Sequence, residues 1–65
     1  MNKKEIIQLL NIKEVDRVEI LDTYGTYRDA YIFYKDGEKK YFECGYRSVN
    51  SIQDYMKQNK IEYTS

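Results

Sequence analysis

The sequence predicts a small two-layer α+β domain in which two helices pack against one face of a short antiparallel sheet. Apolar residues recur at helical spacing near both ends of the chain, whereas polar and apolar residues alternate through its middle. The dipeptide Asp36-Gly37 separates two β-prone runs, which is typical of a hairpin turn. With 65 residues the chain has room for one domain, residues 1–65. We therefore expect the element order αβββαβ, with a three-stranded meander between the helices.

Helix-forming signals stand at the start of the chain. Asn2 can cap a helix, and Glu5 occupies the third helical position, so the two residues form the pattern of a capping box. Ile6 and the Leu9-Leu10 pair then fall on one face of that helix. We expect Asn11 to end the helix in the left-handed conformation, which asparagine tolerates better than most residues.

Three strands follow, predicted over 17–23, 27–35 and 39–44. In the first, Val18 and Ile20 alternate with polar neighbours, which is the period of a half-buried strand. Tyr24-Gly25-Thr26 supplies the first turn, because glycine adopts positive φ at little cost. Asp36-Gly37 supplies the second turn. The predicted unit is a meander.

The register of the two hairpins decides which side chains become buried. Three-residue loops at both hairpins place an uncharged set on one face: Val18, Ile20, Ala30, Ile32, Phe42 and Cys44. The opposite face then collects Glu19, Leu21, Asp29, Tyr31, Phe33, Lys39, Tyr41 and Glu43. A two-residue turn at Asp36-Gly37 would instead pair Tyr31 with Phe42 and mix the two sets. We favour the first register because it alone leaves one face without charge.

The C-terminal third predicts a second helix. Ser48 is the expected cap, and Asn59 is the expected end. The apolar stripe of this helix consists of Val49, Ile52, Tyr55 and Met56. Ile61 and Tyr63 alternate with polar residues, so the tail can add a fourth strand along one edge of the sheet.

The chain lacks residue types that several classes of function require. It has no histidine, which removes the usual general base of serine and cysteine nucleophiles and the commonest zinc ligand. Cys44 is a single cysteine that we expect to be a buried apolar side chain. The carboxylates are spread over separate elements, and the three glycines are isolated. We expect no enzymatic activity, no metal and no cofactor.

Charge and cysteine content bear on location. Eleven basic residues balance eleven acidic ones, so no strong net field attracts nucleic acid or an anionic membrane. No apolar run approaches the roughly 20 residues that a membrane span requires. One cysteine cannot form an intramolecular disulfide, which favours a reducing compartment. We expect a cytoplasmic protein without membrane association.

Eight tyrosines point to a contact surface, because tyrosine offers a large contact area with few rotatable bonds. The candidate contact residues are Leu21, Tyr31, Phe33, Lys39 and Tyr41. They favour a small protein-binding module that acts as a stoichiometric inhibitor or adaptor, or as a homodimer, through this sheet face or an edge strand. A composition rich in Lys, Ile, Tyr and Asn suits an AT-rich genome, such as that of a low-GC bacterium, a phage or another mobile element.

Two other readings of the aromatic residues stay open. In the first, the chain binds nucleic acid: tyrosines stack on bases while Lys and Arg reach phosphates. The residues required are Tyr31, Tyr41, Arg28, Lys39, Lys40 and Arg47. In the second, tyrosine is present for its strand propensity alone, and Tyr34, Tyr55 and Tyr63 cover core edges with their hydroxyls in water.

Overall fold

The computed structural model describes residues 1–22 and 25–64, and in this part of the chain the elements follow the predicted order αβββαβ. The elements are α1 (Lys3–Asn11), β1 (Val15–Asp22), β2 (Tyr27–Tyr34), β3 (Lys39–Gly45), α2 (Tyr46–Gln58) and β4 (Tyr63–Thr64). The α+β fold class is therefore confirmed. The predicted end of the first strand at Thr23 and the turn position Tyr24 lie outside the described residues.

The four strands form one mixed sheet in the order β3-β2-β1-β4. The first three are antiparallel neighbours, as predicted. Helix α2 carries the chain from the β3 edge to the β1 edge, where β4 runs parallel to β1 with Tyr63 beside Val18. The predicted fourth edge strand is thus present, although it is only two residues long.

The observed register is the predicted one: it leaves the centre of one face uncharged, with Arg28 and Lys40 at the ends of that side. Ala30 pairs with Ile20 on one side and with Phe42 on the other, so all three side chains point to the same layer. The second hairpin has the predicted three-residue loop: the Tyr34 amide donates to the Glu38 carbonyl at 2.9 Å. Gly37 takes the left-handed position of that loop with φ +94°.

Both helices pack on this uncharged face and complete a single hydrophobic core. The helices contribute Ile6, Leu10, Val49, Ile52 and Met56. The sheet contributes Val18, Ile20, Ala30, Ile32, Tyr34, Phe42 and Cys44. The chain folds this way because the helical stripes and the strand alternation place their apolar residues on facing surfaces.

Tyr34 departs from the expectation that its hydroxyl would be in water. The residue is buried, and its hydroxyl donates a 2.5 Å hydrogen bond to the Leu9 carbonyl. Burial raises the pKa of the Tyr34 hydroxyl. A buried tyrosine needs such a partner, and here the last turn of α1 supplies it.

The ends of the helices correct two predictions. The capping box of Asn2 and Glu5 is confirmed, but Asn11 is still helical and does not end α1 in the left-handed conformation. Its side-chain amide donates to the Ile7 carbonyl at 2.8 Å and to the Tyr55 hydroxyl at 2.7 Å. The hydrogen bond to Tyr55 of α2 stabilises Asn11 in the helical conformation. This contact explains why the prediction of a left-handed Asn11, made from local sequence, is wrong.

Ser48 is not the cap of α2. The helix begins at Tyr46, directly after β3, with Gly45 at the capping position and no side-chain cap. The Tyr46 amide donates instead to the Thr26 carbonyl at 2.7 Å. A backbone group of the first hairpin therefore does what a serine side chain was expected to do. Asn59 is confirmed as the end of α2.

A three-residue salt bridge fastens the tip of the second hairpin to the connection between α1 and β1. The Lys13 ammonium lies 2.7 Å from Asp36 and 2.8 Å from Glu38. The side-chain hydrogen bonds to Asp36 and Glu38 raise the pKa of Lys13, and the hydrogen bond from Lys13 lowers the pKa of both carboxyls.

Candidate protein-contact face

The meander presents its second face away from both helices, and we call this surface the open face. Nine of its side chains stand in three rows that run across β1, β2 and β3. The first row is Arg17, Phe33 and Lys39; the middle row is Glu19, Tyr31 and Tyr41; the third row is Leu21, Asp29 and Glu43. All five predicted contact residues lie on the open face.

Aromatic rings form the centre of the open face. The Tyr31 ring centroid lies 5.5 Å from that of Tyr41 and 6.4 Å from that of Phe33, and both pairs are tilted. Tyr41 is 48% exposed and Leu21 is 47% exposed, whereas Tyr31 and Phe33 are half-buried. The open face therefore offers apolar area at its centre and at one corner.

Two cations of the first row lie over the half-buried rings. The Arg17 guanidinium carbon is 4.1 Å from the Phe33 ring centroid, and the Lys39 ammonium is 5.0 Å from that of Tyr31. The electron-rich faces of aromatic rings attract cations at such distances. Arg17 also donates to Glu19 at 2.9 Å, and this hydrogen bond is the main reason why its pKa is raised. The cations and their methylene groups shield Tyr31 and Phe33 in part.

Tyr41 and Asp29 form the strongest polar contact of the open face. The Tyr41 hydroxyl donates to the Asp29 carboxylate at 2.5 Å. This hydrogen bond raises the pKa of Tyr41 to about 12, with burial and the charges of Asp29 and Glu43 adding to it. The Tyr41 ring is thereby held in one orientation while nearly half of its surface stays accessible.

Lys39 and Glu43 mark opposite ends of β3 on the open face, and each carries a charge without a counter-ion. Among the described residues the Lys39 ammonium contacts only the rings of Tyr31 and Phe33, and the Glu43 carboxylate forms no ion pair. By contrast, Arg17 is paired with Glu19. Among the described residues, the open face thus has one cation, Lys39, and two anions, Asp29 and Glu43, that form no ion pair; Asp29 accepts the hydrogen bond from Tyr41 instead.

The basic residues of the nucleic-acid reading do not gather around the tyrosines. Lys40 points to the opposite side of the sheet from Lys39 and pairs with Glu38 at 3.7 Å. Arg28 pairs with Asp22 at 3.8 Å, and its guanidinium donates to the Gly25 and Tyr27 carbonyls. Arg47 lies beside Tyr46 at the start of α2. Of the four basic residues in this prediction, Lys39 alone lies close to the aromatic centre.

The two edges of the sheet are partly occupied by the chain itself. Strand β4 pairs with β1. At the other edge, the Met1 amino group donates to the Glu43 carbonyl of β3 at 3.1 Å. Added strands bind through free backbone groups of an edge. These contacts involve Val18 and Glu19 of β1 and Glu43 of β3, so they occupy only a part of each edge strand.

The described residues give little support to a metal site, a reactive thiol, a deep pocket or a membrane-spanning helix. Over 1–22 and 25–64, no three His, Cys, Asp or Glu side chains lie close enough to share a metal ion. Cys44 is buried, as predicted, and burial raises the pKa of its thiol. A shallow depression of about 280 Å³ lies between α1 and α2. Neither described helix has the length and apolar content to cross a membrane.

Sequence reasoning missed two residues that shape the open face. Arg17 covers Phe33, and Asp29 orients Tyr41. The alternation that placed Val18 inward also placed Arg17 outward, so the pattern held this information. The direct pairing of Arg17 with Phe33 continues the register of Val18 with Ile32, and the bulge of β1 lies beyond it, between Val15 and Arg17. Comparison of the chain with protein-family models, with curated proteins and with solved structures found no match.

Proposed function

We propose that the chain is a small protein-binding module, an adaptor or stoichiometric inhibitor, that contacts its partner through the open face. The observation that carries this proposal is an aromatic sheet face that no helix covers, with Leu21 and Tyr41 nearly half exposed. Large apolar patches are rare on soluble monomers and often mark interaction sites. Tyrosine and arginine are also the residue types that dominate binding energy at protein interfaces.

The open face specifies the chemistry of its partner. Tyr41 and Leu21 need an apolar surface that removes them from water. Lys39 calls for an acidic group, and Glu43 at the far end of β3 calls for a basic one. The partner is therefore a protein surface with an apolar centre and opposite charges on its two sides.

A cytoplasmic location belongs to the same proposal. Its support is Cys44, a single buried thiol that suits a reducing compartment. An origin in a phage or another mobile element likewise rests on composition, which is rich in Lys, Ile, Tyr and Asn. Small proteins of this kind that bind one target protein need no catalytic groups.

Nucleic-acid binding is the second candidate, and we favour it less. Lys39 is the single basic residue of its predicted set that lies beside Tyr31 and Tyr41. Phosphate contacts release counter-ions, so affinity for nucleic acid must fall steeply as salt increases. Fluorescence anisotropy with labelled single and double strands at low salt tests this candidate, and binding that weakens steeply with salt would support it.

The test of the proposed function compares partners captured by the wild type with those captured by two variants of the open face. Phe33→Asp and Leu21→Asp place a carboxylate in the first and in the third row of that face and leave the core intact. The bait is incubated with lysate of the organism that encodes the chain, and retained proteins are identified by mass spectrometry. We expect a specific partner to bind the wild type and to be lost from both variants.

Tyr46→Asp is the matched control for this experiment. It makes a similar exchange of an exposed aromatic residue at the first position of α2, away from the open face. A carboxylate there also suits the positive end of the helix dipole. The control should retain the partner. If both open-face variants, verified as folded by circular dichroism, capture the same proteins as the wild type, the proposed function is wrong.

A further inference from the structure

The open face carries a charge pattern that matches its own rotated copy. Its first row holds two cations, Arg17 and Lys39, and its third row holds two anions, Asp29 and Glu43. The middle row holds two tyrosines and Glu19, whose carboxylate is bound by Arg17. One end of the open face is therefore basic, the other end is acidic, and the aromatic centre lies between them.

A two-fold axis that brings two such faces together must lie in the plane between them, because it exchanges the two sheets. An axis parallel to the strands would set the basic row of one copy on the basic row of the other. An axis across the strands sets each basic row on an acidic row. Charge alone therefore selects the second arrangement, in which the two sheets align as in a sandwich.

In the second arrangement β3 lies opposite β3 of the second copy. Lys39 of each copy then faces Glu43 of the other, so these two charges acquire partners in both directions. Tyr31 and Tyr41 face their own counterparts at the centre, where offset or tilted ring pairs are favourable. Glu19 approaches its counterpart, and the Arg17 salt bridge at 2.9 Å offsets that repulsion.

We infer that the open face binds a second copy of this chain, in a two-fold dimer that pairs Lys39 of one copy with Glu43 of the other. The inference rests on the proposed function, because it uses the same face, and it names one partner for it. The footprint spans three strands and five residues along each, roughly 10 by 13 Å between Cα atoms. Such a face lies at the small end of specific interfaces, so the dimer should be weak and reversible.

Sedimentation equilibrium tests this inference on the full chain, over roughly 10 µM to 1 mM protein. We expect a monomer–dimer equilibrium whose Kd increases with salt, because the Lys39–Glu43 pairs lie at the rim of the interface. Lys39→Glu and Glu43→Lys each create two like-charge contacts in a homodimer. Each variant alone should therefore dimerise at least about tenfold more weakly than the wild type.

An equimolar mixture of the two variants gives the decisive result. In the mixed dimer, the Lys39→Glu copy presents a carboxylate at both ends of β3, and the Glu43→Lys copy presents an ammonium group at both ends. Each carboxylate then faces an ammonium group, so both ion pairs are restored. We expect the mixture to dimerise more tightly than either variant alone. Lys57→Glu, a charge reversal on the exposed side of α2, is the matched control and should dimerise like the wild type.

Three outcomes would overturn the inference: a wild type that stays monomeric at about 1 mM, single variants that dimerise like the wild type, or a mixture that gains nothing. A dilution series of the wild type followed by NMR adds a readout that needs no variant, because signals from the open face must move with concentration. A monomeric wild type whose captured partner is lost by Phe33→Asp would refute the dimer and leave the proposed function standing.

Discussion

Tyr41 shows how one hydrogen bond shapes the chemistry of an exposed side chain. Its hydroxyl is held by the Asp29 carboxylate across the β2–β3 pair. The bond requires a protonated hydroxyl, so the folded pKa lies above the ordinary value of 10.0. The stabilisation from this pair is complete below pH 10.0 and is lost as the pH increases through about 12.

Replacing Asp29 should return Tyr41 to ordinary behaviour. In Asp29→Asn the accepting group carries no charge, so we expect the pKa of Tyr41 to fall from about 12 toward 10.0. A pH titration of the tyrosine ring carbons by NMR measures this shift. Glu43→Gln is the control and should move the pKa less, because Glu43 acts on Tyr41 through charge alone. An unchanged Tyr41 titration in Asp29→Asn would contradict the assignment.

Single residues also mark the limit of prediction from sequence. The inward position of Cys44 follows from strand alternation, and the capping box follows from two residues three apart. The acceptor of the Tyr34 hydroxyl does not, because Leu9 is 25 positions away and presents a backbone carbonyl. Every residue has a backbone carbonyl, so the type of residue at position 9 does not indicate that its carbonyl accepts a hydrogen bond from Tyr34.

At the scale of elements, helix α2 ends in a Schellman motif that lacks the usual glycine. The Ile61 amide donates to the Met56 carbonyl at 2.9 Å, and the Lys60 amide donates to the Lys57 carbonyl at 3.3 Å. The motif requires a left-handed residue, and Lys60 takes that position with φ +57°. Glycine usually stands there, because a Cβ makes this conformation costly.

Lys60→Gly should therefore stabilise the protein. We expect the free energy of unfolding to increase by about 0.5–1 kcal/mol, since the backbone strain disappears and the exposed side chain contributes little. Urea unfolding followed by circular dichroism measures the change. Lys60→Ala removes the same side chain but keeps the Cβ, so it should give no such gain. Equal gains in both variants would show that the backbone conformation of Lys60 is not the cause.

The elements were predictable where their signals are local. Helix periodicity and strand alternation placed both helices and the three strands of the meander, and the search for a face without charge selected the correct register. The two errors, at Asn11 and Ser48, have one cause. Contacts with a distant element decide each position: the Tyr55 hydroxyl binds Asn11, and the Thr26 carbonyl binds the start of α2.

At the scale of the whole molecule, stability depends on one small core. A chain of 65 residues should have a free energy of unfolding of roughly 3–10 kcal/mol. Ile52, fully buried on α2, belongs to the cluster that joins both helices to the sheet. Core substitutions in so small a domain therefore remove a large share of the total.

Ile52→Ala should lower the free energy of unfolding by roughly 2–5 kcal/mol. Thermal and urea unfolding followed by circular dichroism measure this loss. Asn50→Ala, on the exposed side of the same helix, is the matched control and should change stability by less than about 0.5 kcal/mol. A cost below about 1 kcal/mol for Ile52→Ala would mean that the helix is not anchored to the sheet as described.

The separation of the sheet into an uncharged face and the open face was predictable from the whole pattern, because three strands had to agree. The five predicted contact residues share one face for the same reason. What the sequence did not indicate is the shielding of Tyr31 and Phe33 by cations, which depends on side-chain reach across strands. The composition of the three rows, and with it the charge pattern of the open face, depends on the register of the two hairpins.

The Lys13 salt bridge couples the tip of the second hairpin to the acidity of the surroundings. Asp36 and Glu38 have lowered pKa values in the folded chain, so their contribution is present above the ordinary carboxyl range. Acidification through the lowered values neutralises both carboxyls and removes it. The tip of the β2–β3 hairpin would then keep the hydrogen bond from the Lys35 amide to the Glu14 carbonyl at 3.0 Å, so acid would weaken the attachment of this corner without releasing it.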